Sequence, residues 1–249
     1  MKGVILAGGS GKRLYPLTRI TNKHLLPIYD RPMVTYAIQA LVESGVTDIM
    51  LVSGGTHAGE FFRLLGNGHA HGVDRLFYAY QEEAGGIAQA LALSERFIDR
   101  DRVVVMLADN IVEYTFAASV DAFGRQKQGA RILLSKVPEL RHLKHLGVPH
   151  MNGDGRVTKI VEKPEEPPSS YAVTGIYFYD SAVWEVISQL SPSARGELEI
   201  TDVNNWYVDH GSMEYDVMEG FWGDAGESID AYYTVNDFVR QHGANKRPG

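Results

Sequence analysis

The residues best suited to chemistry begin at position 8: Gly8-Gly9-Ser10-Gly11-Lys12-Arg13-Leu14-Tyr15-Pro16-Leu17-Thr18. Glycines let a backbone turn its N–H groups toward an anion at close range. Arg13 adds a planar fork of donors suited to phosphate oxygens. Two common phosphate patterns fail here. A Walker A loop through Gly11-Lys12 needs glycine at position 6 and serine or threonine at position 13, where Leu6 and Arg13 stand. A dinucleotide fingerprint from Gly9 needs glycine where Leu14 stands, and Pro16 works against an immediate long helix. What remains is an anion-binding turn or a tight turn with no ligand.

Two carboxylates suggest what would accompany phosphates. Asp109 follows the apolar run 103–107 and Ala108, and Asp224 lies in Phe221-Trp222-Gly223-Asp224-Ala225-Gly226. Crowded phosphate oxygens are usually neutralised by Mg²⁺ held by one or two carboxylates and the phosphates themselves. A lone aspartate after a strand is more often a helix cap or turn former. Gln81 can donate and accept at once, matching the N3–H and O4 edge of uracil or thymine, or it can simply end a strand before Gly85-Gly86 starts a helix.

The elements that must carry these residues alternate. Residues 2–7, 48–53, 75–81, 102–107 and 130–137 read as buried strands, and 33–44, 60–65, 87–97 and 116–126 as helices, with Gly45 as a stop. Such alternation marks βαβ units and a mostly parallel sheet covered on both faces. Ligands then sit beyond the carboxyl ends of strands, which is where the loop, Gln81 and Asp109 fall. The second half is mixed: strands at 157–161, 173–179 and 212–218, and helices at 182–190, 200–208 and 229–240. No linker divides the chain, so one domain is expected over 1–241, with a disordered polar tail at 242–249.

Composition limits the alternatives. The chain has 249 residues, 44% of them hydrophobic and none of them cysteine, which excludes disulfides and thiolate chemistry. A net charge of −7 argues against nucleic acid or an anionic membrane as the main partner. No segment reads as a signal peptide or membrane span, so a cytoplasmic protein is expected. His69 and His71, and His142, His145 and His150, lack partners at ligand spacing, so no zinc site is expected there.

The loop, followed by Asn22-Lys23-His24-Leu25-Leu26-Pro27, resembles the sugar nucleotidyltransferases, closest to members that transfer a thymidylyl group from dTTP to glucose 1-phosphate. Five further blocks carry the likeness: Gln81 to Leu91, Leu107-Ala108-Asp109-Asn110, Val161-Glu162-Lys163-Pro164, Tyr171 to Asp180, and Trp222-Gly223-Asp224-Ala225-Gly226, with Pro192 to Asp202 beside them. The resemblance implies a Rossmann-like, three-layer α/β fold with a mixed, mostly parallel sheet. It implies a nucleotide site at Leu6, Ala7, Gly8, Gly9, Gly11, Gln81, Gly86 and Asp109. It implies a sugar-phosphate site at Asn110, Gly147, Glu162, Lys163, Val173 and Gly175. Arg13, Lys23 and Lys163 become catalytic residues, and Asp109 and Asp224 hold Mg²⁺. The partners are then a nucleoside triphosphate and a sugar 1-phosphate, and a homo-oligomer is expected.

The chain departs from the family pattern in places. His145-Leu146 precede Gly147 where the family usually has an arginine and an aromatic, and the loop before them is longer. Ala108 replaces the usual glycine. The likeness is to the short form of the family, so distal feedback control is not expected. Two rival readings remain: a sister enzyme using UTP or another sugar phosphate, and a non-catalytic sensor of the same fold.

Overall fold

An apolar run buried on both sides must be covered by two layers. That is the condition of the central strands in this computed structural model, which describes residues 1–248. The main sheet has seven strands: β1 (Lys2–Ala7), β2 (Asp48–Gly54), β3 (Arg75–Gln81), β4 (Val103–Leu107), β5 (Ala130–Lys136), β6 (Tyr171–Tyr179) and β7 (Met213–Val217). Their order across the sheet is β7-β5-β6-β4-β1-β2-β3. β6 is antiparallel to both its neighbours, and the other pairs are parallel. The amino end of β6 therefore lies at the same edge as the carboxyl ends of the rest.

Alternate residues serve alternate faces. Val4 and Leu6 pack with Val103, Val105 and Tyr177 under the helices Ile87–Ala92, Val183–Gln189 and Ile200–Asp209. Ile5 and Ala7 pack with Val104, Met106 and Phe178 under Met33–Glu43, Ala58–Leu65 and Ala117–Arg125. This is the three-layer arrangement expected from the sequence. Gly45, at φ +88°, ends the Met33–Glu43 helix as read. The helix read over 87–97 breaks in two: Ile87–Ala92 ends in a tightened turn, with Ser94 N–H donating to Leu91 O at 2.9 Å, and a separate turn, Glu95–Ile98, follows.

Three short pairings were not legible in the sequence. Pro27–Ile28 pairs with Arg31–Pro32, Asn110–Val112 with Trp222–Asp224, and Gly147–Met151 with Val157–Glu162. A third apolar cluster joins Leu14, Ile28, Met33, Tyr36 and Ile111 to Tyr232, Val235 and Val239 of the last helix, Ile229–His242.

The expectation of a disordered tail over 242–249 needs correction. His242 belongs to the last helix, and Asn245 is buried. Asn245 N–H donates to Val112 O at 3.0 Å and its Nδ2 to Tyr36 O at 3.0 Å. Lys246 N–H donates to Glu113 O at 2.8 Å, and its carbonyl accepts from Thr115 N–H at 2.8 Å. The segment is held by hydrogen bonds to partners that lie far away in sequence. Gly249, the end of that expected tail, lies outside the described residues.

Candidate active site

The carboxyl ends of β1, β3 and β4 and the amino end of β6 border one cleft of about 390 Å³. β1 and β4 are adjacent, with Leu6 opposite Leu107, so the glycine loop and Asp109 emerge side by side. The loop is held from below. Leu14 is fully buried against the third cluster, a burial worth about 2 kcal/mol. Gly11 turns at φ +65°, and its carbonyl accepts from Leu14 N–H at 3.0 Å and Thr18 Oγ1 at 2.9 Å. A Cβ on Gly9 would stand 3.0 Å from Lys23 Cε, so the loop rests on Lys23. Among the described residues, the N–H groups of Gly9, Ser10 and Gly11 donate to no protein acceptor. Arg13 stands exposed beside them on the cleft. Free donors next to a guanidinium form an anion site.

The floor holds two carboxylates and one ammonium. Lys23 Nζ donates to Asp109 Oδ2, and both side chains are about nine-tenths buried. Asp224 arrives through the Trp222–Asp224 strand, where it lies opposite Asn110. Ala225 N–H donates to Asp109 O at 2.9 Å, and Gly226 N–H to Asp224 Oδ1 at 2.8 Å. A Cβ on Gly226 would fall 2.5 Å from Asp109 Oδ2 and 2.8 Å from Lys23 Nζ, so only glycine fits there. Burial is the largest influence and works to raise the Asp109 carboxyl, but the Lys23 charge, together with His24 and the hydrogen bonds from Lys23 and Asn110, holds the group below the usual range. Asp224 moves the other way, lifted by burial and then by repulsion from Asp109. Burial works against the Lys23 ammonium, yet Asp109 and Asp224 together hold its pKa above the usual value. His24, buried beside them, is pushed down to about 3 by burial and by Lys23, and stays neutral. Two carboxylates crowd one buried lysine, and the crowding favours a proton on Asp224.

Gln81 ends β3 and is buried, with Nε2 donating to Gln89 Oε1 at 2.8 Å. Gly86 has φ +101°, and a Cβ there would stand 2.4 Å from Leu198 O. Leu198 N–H donates to Gly85 O at 2.8 Å, and Ala88 N–H to Leu198 O at 3.2 Å. Gly86 is thus glycine because the Leu198 backbone passes against it.

The far end of the cleft is assembled from more pieces. β6 loses register with β5 between Val173 and Tyr177. In that stretch Gly175 N–H donates to Asn110 Oδ1 at 2.8 Å, and a Cβ on Gly175 would stand 2.7 Å from Asn110 Nδ2. Asn110 Oδ1 also accepts from Trp222 Nε1 at 2.6 Å, and its Nδ2 donates to Asp109 Oδ1 at 3.1 Å. The Asn110 side chain, read from sequence as a sugar-phosphate contact, is engaged by the protein and braces both ends of the cleft. Glu162 lies opposite Gly147 and accepts from Thr201 Oγ1 at 2.7 Å. Lys163 Nζ stands 3.3 Å from Glu162 Oε1, and its N–H donates to Leu146 O at 3.0 Å. Arg195 grips Glu199 at 2.8 Å and reaches Glu162 at 3.7 Å.

The nucleotidyl transferase family model matches residues 2–242. The chain belongs to this family. Glucose-1-phosphate thymidylyltransferase of Neisseria meningitidis is 42% identical over 243 residues, 96% of this chain and 83% of the relative. A Bacillus anthracis protein assigned as a glucose-1-phosphate thymidylyltransferase, crystallised in complex with a sucrose, is 48% identical with a TM-score of 0.90, covering 96% of this chain and 95% of that one. UDP-glucose pyrophosphorylase complexed with UDP-glucose superposes with a TM-score of 0.82 over 96% of this chain and 98% of that one; at 22% identity this is a likeness of fold alone.

In this nucleotidyltransferase, every residue read from the sequence as a site residue lines the cleft except Ala7, which is wholly buried. The cleft also takes in Arg195, Glu197, Glu199, Thr201 and Trp222, to which sequence reading gave no role. The signal was present in part. Pro192 to Asp202 is a run of charged and small residues with no helix or strand period. Its division among a loop, the contact with Gly86 and the start of the Ile200–Asp209 helix needed the fold.

Proposed function

We propose that the chain transfers the thymidylyl group of dTTP to glucose 1-phosphate, releasing pyrophosphate and giving dTDP-glucose. The observation that carries this reading is a single cleft. It gathers unpaired loop N–H groups with Arg13 and Lys23 at one end and Glu162 with Lys163 at the other. The names of the related proteins supply the choice of nucleotide and sugar. An oxygen of the sugar phosphate attacks the α-phosphorus in line. The new O–P bond forms as the bond to the bridging oxygen breaks, and pyrophosphate leaves with that electron pair. No protein nucleophile is needed, so the protein acts by positioning and charge. Arg13 and Lys23 steady the pyrophosphate, Lys163 holds the attacking phosphate, and Glu162 orients sugar hydroxyls.

Asp109 and Asp224 fit a hard divalent cation such as Mg²⁺. They offer hard carboxylate oxygens, and the repulsion that lifts Asp224 is what a bound cation would relieve. When bound, such an ion neutralises charge on the phosphates.

Gln81 reads an edge that thymine and uracil share, which makes UTP the alternative donor. A pyrophosphate-release assay over several nucleoside triphosphates and sugar 1-phosphates tests the proposal. Turnover is expected with dTTP and glucose 1-phosphate. Release with UTP only would move the assignment to the sister enzyme, and no release with any pair would sink it.

A further inference from the structure

We propose that Gln89 selects which bases the cleft accepts, by fixing the orientation of the Gln81 amide. The inference rests on the reading of Gln81 as a base contact. A side-chain amide has two ends of similar shape, one donor and one acceptor, and the end that faces the ligand decides what is read. At Gln81 the surrounding hydrogen bonds make the choice. Gly85 N–H points at the Gln89 amide at 3.1 Å. A backbone N–H can only donate, so the atom it meets is the oxygen, Oε1. That same oxygen faces Gln81 at 2.8 Å, so the Gln81 atom there is the nitrogen. Gly86 O, 3.5 Å from this nitrogen, also faces a donor.

Gln81 Oε1 is therefore turned the other way. It stands over the bare Cα of Gly8, where a Cβ would come within 2.3 Å of it. Gln81 is a buried residue, yet Oε1 accepts from no group of the described residues and is not among their buried unpartnered atoms. It is open to the cleft that Gln81 and Gly8 both line. Gln89 itself is fixed. A Cβ on Gly85 would fall 2.4 Å from Gln89 Cδ, and Gly85 is tied to Leu198 through its carbonyl at 2.8 Å.

An acceptor facing the ligand requires a ring N–H. Thymine and uracil present N3–H beside the O4 acceptor. Cytosine presents the reverse, an N3 acceptor beside an amino group. With the amide held as it is, cytosine would set two acceptors face to face. With the amide free to turn by half a rotation, cytosine would be read as well as thymine. Gln89 never meets the nucleotide in this account and is a positioning residue.

The test is the ratio of kcat/KM for dTTP to kcat/KM for dCTP, with glucose 1-phosphate and Mg²⁺. Gln89→Met keeps length and removes the acceptor, and the ratio is expected to fall about tenfold or more, partly through a gain with dCTP. Gln89→Glu keeps an oxygen for both donors, and its ratio is expected to stay within about threefold of the wild type. A purely structural role would lower both nucleotides alike and leave the ratio unmoved. If Gln89→Met does not fold, Gln89→Ala, suited to the Ile87–Ala92 helix, gives the same comparison. An unchanged ratio in a variant that still turns over dTTP overturns the inference and leaves the reaction intact. A fall in Gln89→Glu equal to that in Gln89→Met also overturns it. Absence of turnover in the wild type would instead remove the reaction on which it rests.

Discussion

At the end of the cleft proposed for the nucleotide, the charges other than Arg13 are sunk in the floor: Lys23 is 11% exposed and Asp109 9%. At the acceptor end they stand in solvent: Lys163 is 37% exposed, Glu162 32% and Arg195 45%. The first set is locked by backbone, since side chains at Gly9 or Gly226 would collide with it. The second set is a web of long side chains on a short two-stranded sheet and a loop. Buried charges interact strongly and cannot be rearranged cheaply, whereas exposed pairs are screened and adaptable. The nucleotide end is therefore preorganised, and the acceptor end is where sequence can vary. The His145-Leu146 departure falls at that end.

The largest effect that would test this contrast is on activity. Asp224→Asn is expected to lower kcat/KM about a thousandfold or more, read by pyrophosphate release. It should not lower thermal stability, because it removes a carboxylate that Asp109 repels. Full Mg²⁺-dependent turnover in this variant would remove the aspartate pair from the mechanism.

Stability separates the two ends next. Lys23→Met removes the buried counter-charge of Asp109 and Asp224 and is expected to cost about 3 kcal/mol in urea unfolding, with part restored by added Mg²⁺. The sign with pH follows from the raised pKa of Lys23. Its own contribution is complete below the unfolded value of 10.5 and is lost only as pH rises through the folded value; Asp224, raised to about 7 and held down by Lys23, rises further in the variant, so the deficit should grow as pH increases above about 7. A deficit near zero would mean that the floor is as adaptable as the acceptor end.

Gly86→Ala probes the joint between the ends. A Cβ there would meet Leu198 O at 2.4 Å, with φ at +101°, and the expected loss is about 2 kcal/mol. Urea unfolding measures it. A neutral outcome would show that the Leu198 segment moves freely and does not tie the two ends together.

How far the sequence could be read follows the same division. β1 and β4 were legible because burial on both faces makes a strand a continuous apolar run. The loop and Asp109 followed, since each directly succeeds such a strand. The resemblance paired Asp224 with Asp109, but the element that delivers Asp224 was not legible. That element is a three-residue strand, Trp222–Asp224, too short to carry a period and paired far back in the chain. Gly147–Met151 was missed because Pro149 breaks strand propensity, and it is tolerated where only one neighbour is paired. Gly86 was visible as a glycine, but whether a ligand or the Leu198 backbone required it could be told only from contacts. Asn110 lines the cleft, while its commitment to Asp109, Gly175 and Trp222 was invisible in the sequence.

The smallest expected effect belongs to the acceptor end and is the most informative about it. Lys163→Met removes an exposed ammonium whose neighbour Glu162 keeps its hydrogen bond from Thr201. The backbone at position 163 has φ +46°, and any side chain with a Cβ bears that strain equally. Stability should therefore change by no more than about 0.5 kcal/mol, within the range of exposed pairs. Activity should respond through the acceptor alone, with KM for glucose 1-phosphate rising about tenfold and KM for dTTP unchanged. If KM for dTTP rose in parallel, Lys163 would belong to the nucleotide end, and the division of the cleft into a fixed half and an adaptable half would have to be redrawn around it.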